Sequence, residues 1–85
     1  MPKNEIHLVV QTLSGTFEGD FNIHQKLQQV VDTAFRALHI EPSPGDQWEL
    51  RYRDTVLALD HSIQDAGLPD GAVLKLAPKE GGGGR

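Results

Sequence analysis

The chain has 85 residues, no cysteine, and a formal net charge of −4 from 12 acidic and 8 basic residues. A chain this short forms one domain, which buries only about 60% of the surface that its unfolded state exposes. Without cysteine it has no disulfide, no thiolate zinc ligand and no thiol nucleophile. The acidic balance disfavours a nucleic-acid binder, which must neutralise phosphate. No apolar run approaches the roughly 20 residues that cross a bilayer, and no signal-peptide pattern opens the chain. We therefore predict a cytoplasmic protein whose partners are proteins.

The first 21 residues predict a β-hairpin. Apolar side chains alternate with polar ones from Ile6 to Val10, which is the period of a half-buried strand. The segment Thr12–Gly15 supplies a glycine turn. In the next segment Phe17, Gly19 and Phe21 share a face, so a second strand is expected to pair with the first.

A helix is predicted to follow the hairpin. Asn22 and Gln25 have the spacing of a capping box, in which each side chain bonds a backbone N–H of the first turn. From Ile23 onward, apolar residues recur at intervals of three and four, and Pro42 forbids a helix beyond Glu41. The apolar stripe consists of Leu27, Val30, Val31, Ala34 and Leu38.

Two further strands are predicted after the proline-rich connection. Apolar side chains alternate with charged ones from Trp48 to Arg53, which indicates a strand with one solvent-exposed face. The same alternation favours a place for Trp48 in the core or at its edge. A turn at Asp54 then leads to a shorter strand over 56–59.

The remaining chain predicts one helical turn and a last strand. Ser62 and Asp65 form a weaker capping pair, and Gly67 suits a left-handed terminus. The turn at 69–71 then leads to a strand over 72–76. Residues expected to be buried together are Leu8, Val10, Leu27, Val31, Leu50, Leu57, Leu74 and Leu76.

This order of elements predicts an α+β fold of the β-grasp type, in which one helix packs across a mixed sheet. The domain is expected to span residues 1–78, and residues 79–85 form a glycine-rich tail without apolar side chains to pack. We expect the domain to be a monomer.

The order of elements and the terminal glycines together resemble ubiquitin and its relatives over essentially the whole chain. The segment Thr12–Gly15 is similar to the Thr-Leu-Thr-Gly turn of ubiquitin's first hairpin, and Ser62–Leu68 resembles its Thr-Leu-Ser-Asp-Tyr-Asn-Ile turn. The overall pattern is closer to the ubiquitin-like modifiers of bacterial ubiquitination-like operons, some of which are linked to phage defence.

The resemblance implies a protein modifier that is not itself an enzyme. Gly84 would be conjugated through its carboxylate with Gly83 before it, once a processing peptidase has removed Arg85. The implied partners are an E1-like activating enzyme, an E2-like conjugating enzyme, a deconjugating peptidase and the target proteins. Two alternatives are a sulfur carrier and a non-conjugated interaction domain. Sulfur carriers typically end at Gly-Gly, so Arg85 favours a processed modifier over the first alternative.

The resemblance also places a binding surface on the sheet. Ubiquitin's apolar patch combines a leucine of the first hairpin with an isoleucine and a valine, and here these positions hold Leu13, Arg51 and Ala77. Because burying an unpaired guanidinium is costly, a mixed polar partner is expected around these residues and Arg53 instead of an apolar one.

No catalytic or metal site is predicted. The four histidines are scattered, and none has ligand spacing with another. Aspartates such as Asp54 and Asp70 fit turns and caps, so neither an acid/base pair nor a cofactor is expected.

Overall fold

The computed structural model describes residues 4–43 and 47–79. Within them the chain forms five strands and two helices. In chain order the elements are β1 (Glu5–Thr12), β2 (Gly15–Asn22), α1 (Leu27–Leu38), β3 (Trp48–Tyr52), β4 (Thr55–Leu57), α2 (Ile63–Ala66) and β5 (Ala72–Pro78). Among these residues no helix is long and apolar enough to span a membrane.

The strands form one mixed sheet in the order β2-β1-β5-β3-β4. β1 pairs with β2 antiparallel and with β5 parallel, while β3 pairs antiparallel with both β5 and β4. The parallel pair joins the first and last strands, and the sheet is mixed, as the sequence predicted. This is the β-grasp fold. β4 is shorter than expected, because Ala58 already belongs to a turn in which its carbonyl accepts a bond from the His61 N–H.

The core lies between the inner sheet face and α1. Side chains of alternate strand residues and one stripe of the helix are buried there, and among the described residues no charged or polar one is buried. Seven of the eight residues predicted to be buried together lie in this core, and the eighth, Leu57, is partly buried at the short edge strand. Trp48 also lies at the core edge as predicted, with its ring edge-to-face on Phe35 at 5.0 Å between centroids.

The prediction that α1 starts at Asn22 is wrong. Asn22 and Gln25 do exchange bonds, since the Asn22 N–H donates to Gln25 Oε1 and the Gln25 N–H donates to the backbone carbonyl of Asn22, each over 2.9 Å. Asn22 Oδ1, however, accepts from the His24 N–H only two residues on, which is the geometry of an Asx turn. The reciprocal bonds thus close a turn after β2, and the helix begins at Leu27.

The first helical donors are satisfied from a distant part of the chain. The N–H of Leu27 donates to the carbonyl of His61 and that of Gln28 to Leu59, each over 2.9 Å. Lys26 also forms a β-bridge with Ser62. A helix start usually needs a side-chain cap, but here backbone carbonyls take that role, so Lys26 suffices at the N-cap without a side-chain bond.

Both helices end in the left-handed backbone conformation. Gly67 ends α2 at φ 69°, as predicted, and Ser62 caps its start by accepting a bond from the Asp65 N–H. His39 ends α1 at φ 58°, with the Ile40 N–H bonded to the Phe35 carbonyl. A histidine in this conformation carries a steric cost that glycine avoids.

Candidate protein-interaction surface

The outer face of the sheet, opposite α1, carries Arg51 and Ala77, two of the four residues that the sequence proposed for partner binding. The strand register brings Glu49 beside Ala77, and Arg51 between Lys75 and Val56. These side chains alternate with the buried ones along each strand, so they point away from the core. The exposed part of this face is therefore a mixture of apolar and charged groups.

Leu13 lies at the tip of the β1–β2 turn and is 98% exposed. The turn is fixed by the hydroxyl of Thr12, which donates to the Gly15 carbonyl over 2.9 Å and accepts from the Ser14 N–H over 3.0 Å. Gly15 has φ 135°, a value that favours glycine. The turn geometry thus presents a large apolar side chain to solvent in a defined place.

Leu13 and Ala77 meet at one shallow cleft beside the turn. Its volume is about 230 Å³, and it is lined by Gln11, Thr12, Leu13, Lys75, Leu76 and Ala77. Ala77 also borders a second depression together with Arg51 and Lys79. The structure therefore brings Leu13, Ala77 and Arg51 to one continuous surface, with Ala77 in the middle.

Arg51 has a partner on its own strand. Its Nε lies 2.6 Å from Glu49 Oε2, and Glu49 is the more buried of the two side chains, at 19% exposure against 48%. This pair lowers the cost of covering the guanidinium, and the terminal nitrogens offer further donors to a partner. A carboxylate or a carbonyl oxygen is the group that this site fits best.

Arg53 lies apart from the other three residues. It has φ 58° in the turn between β3 and β4, and its guanidinium carbon sits 5.3 Å from the centroid of the Tyr52 ring. It lines a separate depression with Pro69 and Val73. A partner that covers Leu13 and Arg51 reaches Arg53 only if it also extends along β3 toward this turn.

Lys75 was not among the residues that the sequence proposed for partner binding, although it lies on the same surface. It stands between Gln11 and Arg51 across three neighbouring strands and lines the cleft under Leu13. Its alternation with the buried Leu74 and Leu76 was visible in the sequence, but its neighbours depend on the register of β5 between β1 and β3. That register is a tertiary property.

Gly83, Gly84 and Arg85, proposed for conjugation and processing, lie outside the described residues. The last described residue is Lys79, whose N–H donates to the Gln47 carbonyl over 2.7 Å. β5, the strand that precedes the tail in the sequence, lies inside the sheet.

The described histidines form no metal site. In residues 4–43 and 47–79, no group of three or more His, Asp or Glu side chains is arranged so that it could hold a metal ion. His7 does contact two carboxylates, with Nδ1 at 2.9 Å from Asp20 Oδ1 and Nε2 at 3.1 Å from Glu18 Oε1. Hydrogen bonds to the two carboxylates raise the pKa of His7 above its ordinary value of 6.5, and the bond to Asp20 has a larger effect than the bond to Glu18.

The fold and the mixed outer face define a ubiquitin-like domain, a class of generally non-enzymatic modifiers and interaction domains. The family model described as TUG ubiquitin-like domain matches residues 21–76, and the chain belongs to this family. No curated protein matches the chain in sequence.

Solved structures agree with this fold at low sequence identity. A de novo design based on ubiquitin has a TM-score of 0.77 and 15% identity, over 99% of this chain and 100% of the design. Ubiquitin from Caldiarchaeum subterraneum has a TM-score of 0.73 and 16% identity, over 93% of this chain and 99% of that one. A ubiquitin-like domain from Arabidopsis thaliana has a TM-score of 0.71 and 18% identity, over 98% of this chain and 86% of that one. At these identities the likeness shows the fold alone.

Proposed function

We propose that this domain is a protein modifier, attached to its targets through Gly84 after cleavage of the bond to Arg85. One observation carries the proposal: four consecutive glycines, Gly81–Gly84, begin only three residues after the end of β5 at Pro78. Only Lys79 and Glu80 separate the run from a strand that has neighbours on both sides, so the folded domain holds one end of the glycine segment.

The chemistry requires activation of a carboxylate, which is a poor electrophile. A carboxylate oxygen of Gly84 attacks the α-phosphate of ATP, and pyrophosphate leaves. A cysteine thiolate of the activating enzyme then attacks the acyl carbon and expels AMP. After transfer to the conjugating enzyme, a target amine takes the acyl group and releases the thiolate. Because ATP is the co-substrate, we place this chemistry in the cytoplasm.

The tail suits this task for steric reasons. Six residues, 79–84, extended at about 3.3–3.6 Å each, reach about 20 Å from the domain. Glycine has no Cβ, so such a segment can enter a channel too narrow for other residues. The domain supplies affinity and orientation, while the tail brings the reacting atom to the nucleotide.

The outer sheet face is the proposed docking surface for the enzymes. Leu13 offers an apolar contact, and Arg51 with Lys75 offers donors to an acidic or carbonyl group. We expect both the activating and the conjugating enzyme to cover this face with a mixed polar surface, leaving the tail free to react.

A non-conjugated interaction domain is the second candidate, and a specific observation favours it. The family match spans residues 21–76, which lie within the folded domain and exclude the glycine run. In this case the outer sheet face binds a partner and the glycines serve as a linker.

Detection of a covalent product distinguishes the protein modifier from the non-conjugated interaction domain. The chain, tagged at its N-terminus, is expressed in its native host and purified under denaturing conditions, and the adducts are digested with trypsin. Cleavage after Lys79 leaves residues 80–84 on the target amine, a branched Glu-Gly-Gly-Gly-Gly remnant that mass spectrometry identifies. Gly84→Val is the matched control, because it keeps the domain and blocks the reacting end.

The expected result is a set of remnant-bearing peptides from the native sequence and none from Gly84→Val. Absence of the remnant, together with partners that co-purify only under native conditions, overturns the modifier and supports the interaction domain. A mass showing a thiocarboxylate on Gly84 instead identifies a sulfur carrier.

A further inference from the structure

His7 bridges two carboxylates on the outer face of the β1–β2 hairpin. In the antiparallel register His7 stands directly opposite Asp20, and Glu18 lies two residues before Asp20 on the same face of β2. Nδ1 contacts Asp20 at 2.9 Å and Nε2 contacts Glu18 at 3.1 Å. The ring therefore engages both of its nitrogens, each with a different acidic side chain.

The number of donors in this arrangement defines the charge of the ring. A neutral imidazole has one N–H donor and one acceptor nitrogen, whereas an ionised carboxylate only accepts. Two hydrogen bonds to two carboxylates require both ring nitrogens to donate, which only the imidazolium does. The geometry thus selects the protonated histidine, in agreement with the raised pKa of His7.

The other charged groups around His7 are also acidic. Asp70, in the turn before β5, accepts a bond from the His7 backbone N–H through Oδ1 over 2.8 Å. Glu5 lies two residues earlier on β1, on the same strand face, opposite Asn22. Among the described residues, the charged side chains that flank His7 on β1, on β2 and in this turn are all acidic. Their negative charges stabilise the imidazolium.

We propose that His7, Glu18 and Asp20 form a proton-operated clamp that ties β1 to β2 and sets the charge of this edge of the sheet. With His7 protonated, one positive charge bridges two negative ones across the hairpin. When the proton leaves, one of the two carboxylates loses its donor, and two like charges remain side by side on β2. This inference does not depend on conjugation, because it concerns the domain alone.

The clamp acts on a strand that is sensitive to it. β2 is an edge strand, paired with β1 alone, so cross-strand side-chain contacts contribute to holding it in place. Since the three groups lie on the same outer face as Arg51 and Lys75, loss of the proton makes the β2 side of this face more acidic. A partner with cationic groups over β2 would then bind more tightly at higher pH.

The direction of the stability effect follows from proton linkage. A group whose pKa is higher in the folded than in the unfolded chain stabilises the fold fully below the unfolded value. For His7 the contribution is therefore complete below pH 6.5 and is lost as pH rises through the raised folded value. Because the His7 side chain is 41% exposed, the contribution is screened by solvent.

The test is an NMR titration of the His7 ring in the full chain and in Asp20→Asn, Glu18→Gln and the double variant. We expect each substitution to lower the pKa of His7, with the larger shift for Asp20→Asn and the lowest value in the double variant. Below that pKa, the ring nitrogen shifts should report protons on both nitrogens. A His7 pKa that neither substitution moves overturns the clamp.

A second measurement covers the case in which a variant is less stable. The denaturation midpoint of His7→Gln is compared with that of the native chain from pH 5.5 to 8.5. The native midpoint should fall relative to the variant as pH rises through the folded pKa of His7. Parallel curves for the two proteins over this range would contradict the proposal.

Discussion

Truncation of Leu74 is a direct test of the assigned core. Leu74 is fully buried on β5, between Val10 of β1 and Tyr52 of β3 in the register of the sheet. Leu74→Ala removes three carbon atoms from a site enclosed by three strands and the helix. The surrounding backbone has little freedom to move in and fill the cavity. Such a change costs about 2–5 kcal/mol of unfolding free energy.

That loss is large for this domain. At 0.05–0.15 kcal/mol per residue, a domain of about 80 residues has a stability of roughly 4–12 kcal/mol. A loss of about 3 kcal/mol lowers the melting temperature by roughly 10–25 °C at this size. Leu74→Ala is therefore expected to remain folded at low temperature but to melt far below the native chain.

Urea unfolding followed by the fluorescence of Trp48, the single tryptophan, measures the change. Trp48 packs on Phe35 at the edge of the core, so its emission reports the tertiary structure. The control is Leu13→Ala, which deletes the same atoms from a side chain that is 98% exposed and should change stability by less than about 0.5 kcal/mol. An effect of Leu74→Ala below about 1 kcal/mol, or equal costs at both sites, would show that the core is misassigned.

Two more predictions follow from the surface and from the helix ends. Arg51→Glu should weaken binding of an enzyme partner at least tenfold without a change in fold, because it places a second carboxylate beside Glu49; unchanged affinity in a titration would remove this face as the docking surface. His39→Gly should stabilise the domain by about 0.5 kcal/mol, because glycine adopts φ 58° without steric cost. Gly67→Ala should destabilise it by about 1 kcal/mol, because alanine at φ 69° carries that cost. Thermal unfolding measures both, and shifts of the same sign would refute the argument.

Periodicity was sufficient to predict most of the fold. The alternation in β1, β3 and β5 and the stripe from Leu27 to Ala34 identified the core, because burial of one face imposes these periods. Leu38, which the sequence placed on the same stripe, is only partly buried and lies outside the core cluster. The prediction for the start of α1 was wrong, since a local rule assigned Asn22 and Gln25 to a helix cap. The carbonyls that actually receive the first helical N–H groups come from His61 and Leu59, and no local pattern near Asn22 reveals them.

The candidate surface was only partly accessible to sequence reasoning. The resemblance placed Leu13, Arg51 and Ala77 together, and the register brings them to one face. Arg53 lies elsewhere, because a positive φ in the following turn directs its side chain to Tyr52. The bridge from His7 to Glu18 and Asp20 was missed. Contacts between residues on two strands can be predicted only when the register of the hairpin is known.

The hydrogen bonds between the start of α1 and the segment 59–64 have a consequence for biosynthesis. The Ile63 N–H donates to the Gln25 carbonyl and the Gln64 N–H to Ile23, so four backbone bonds join segments that lie about 35 residues apart. β1 likewise gains its parallel neighbour only when β5 is available. A chain emerging from the ribosome can therefore form the first hairpin early. The helix start is completed only after residues 59–64 have left the exit tunnel, and the sheet only after β5 has followed.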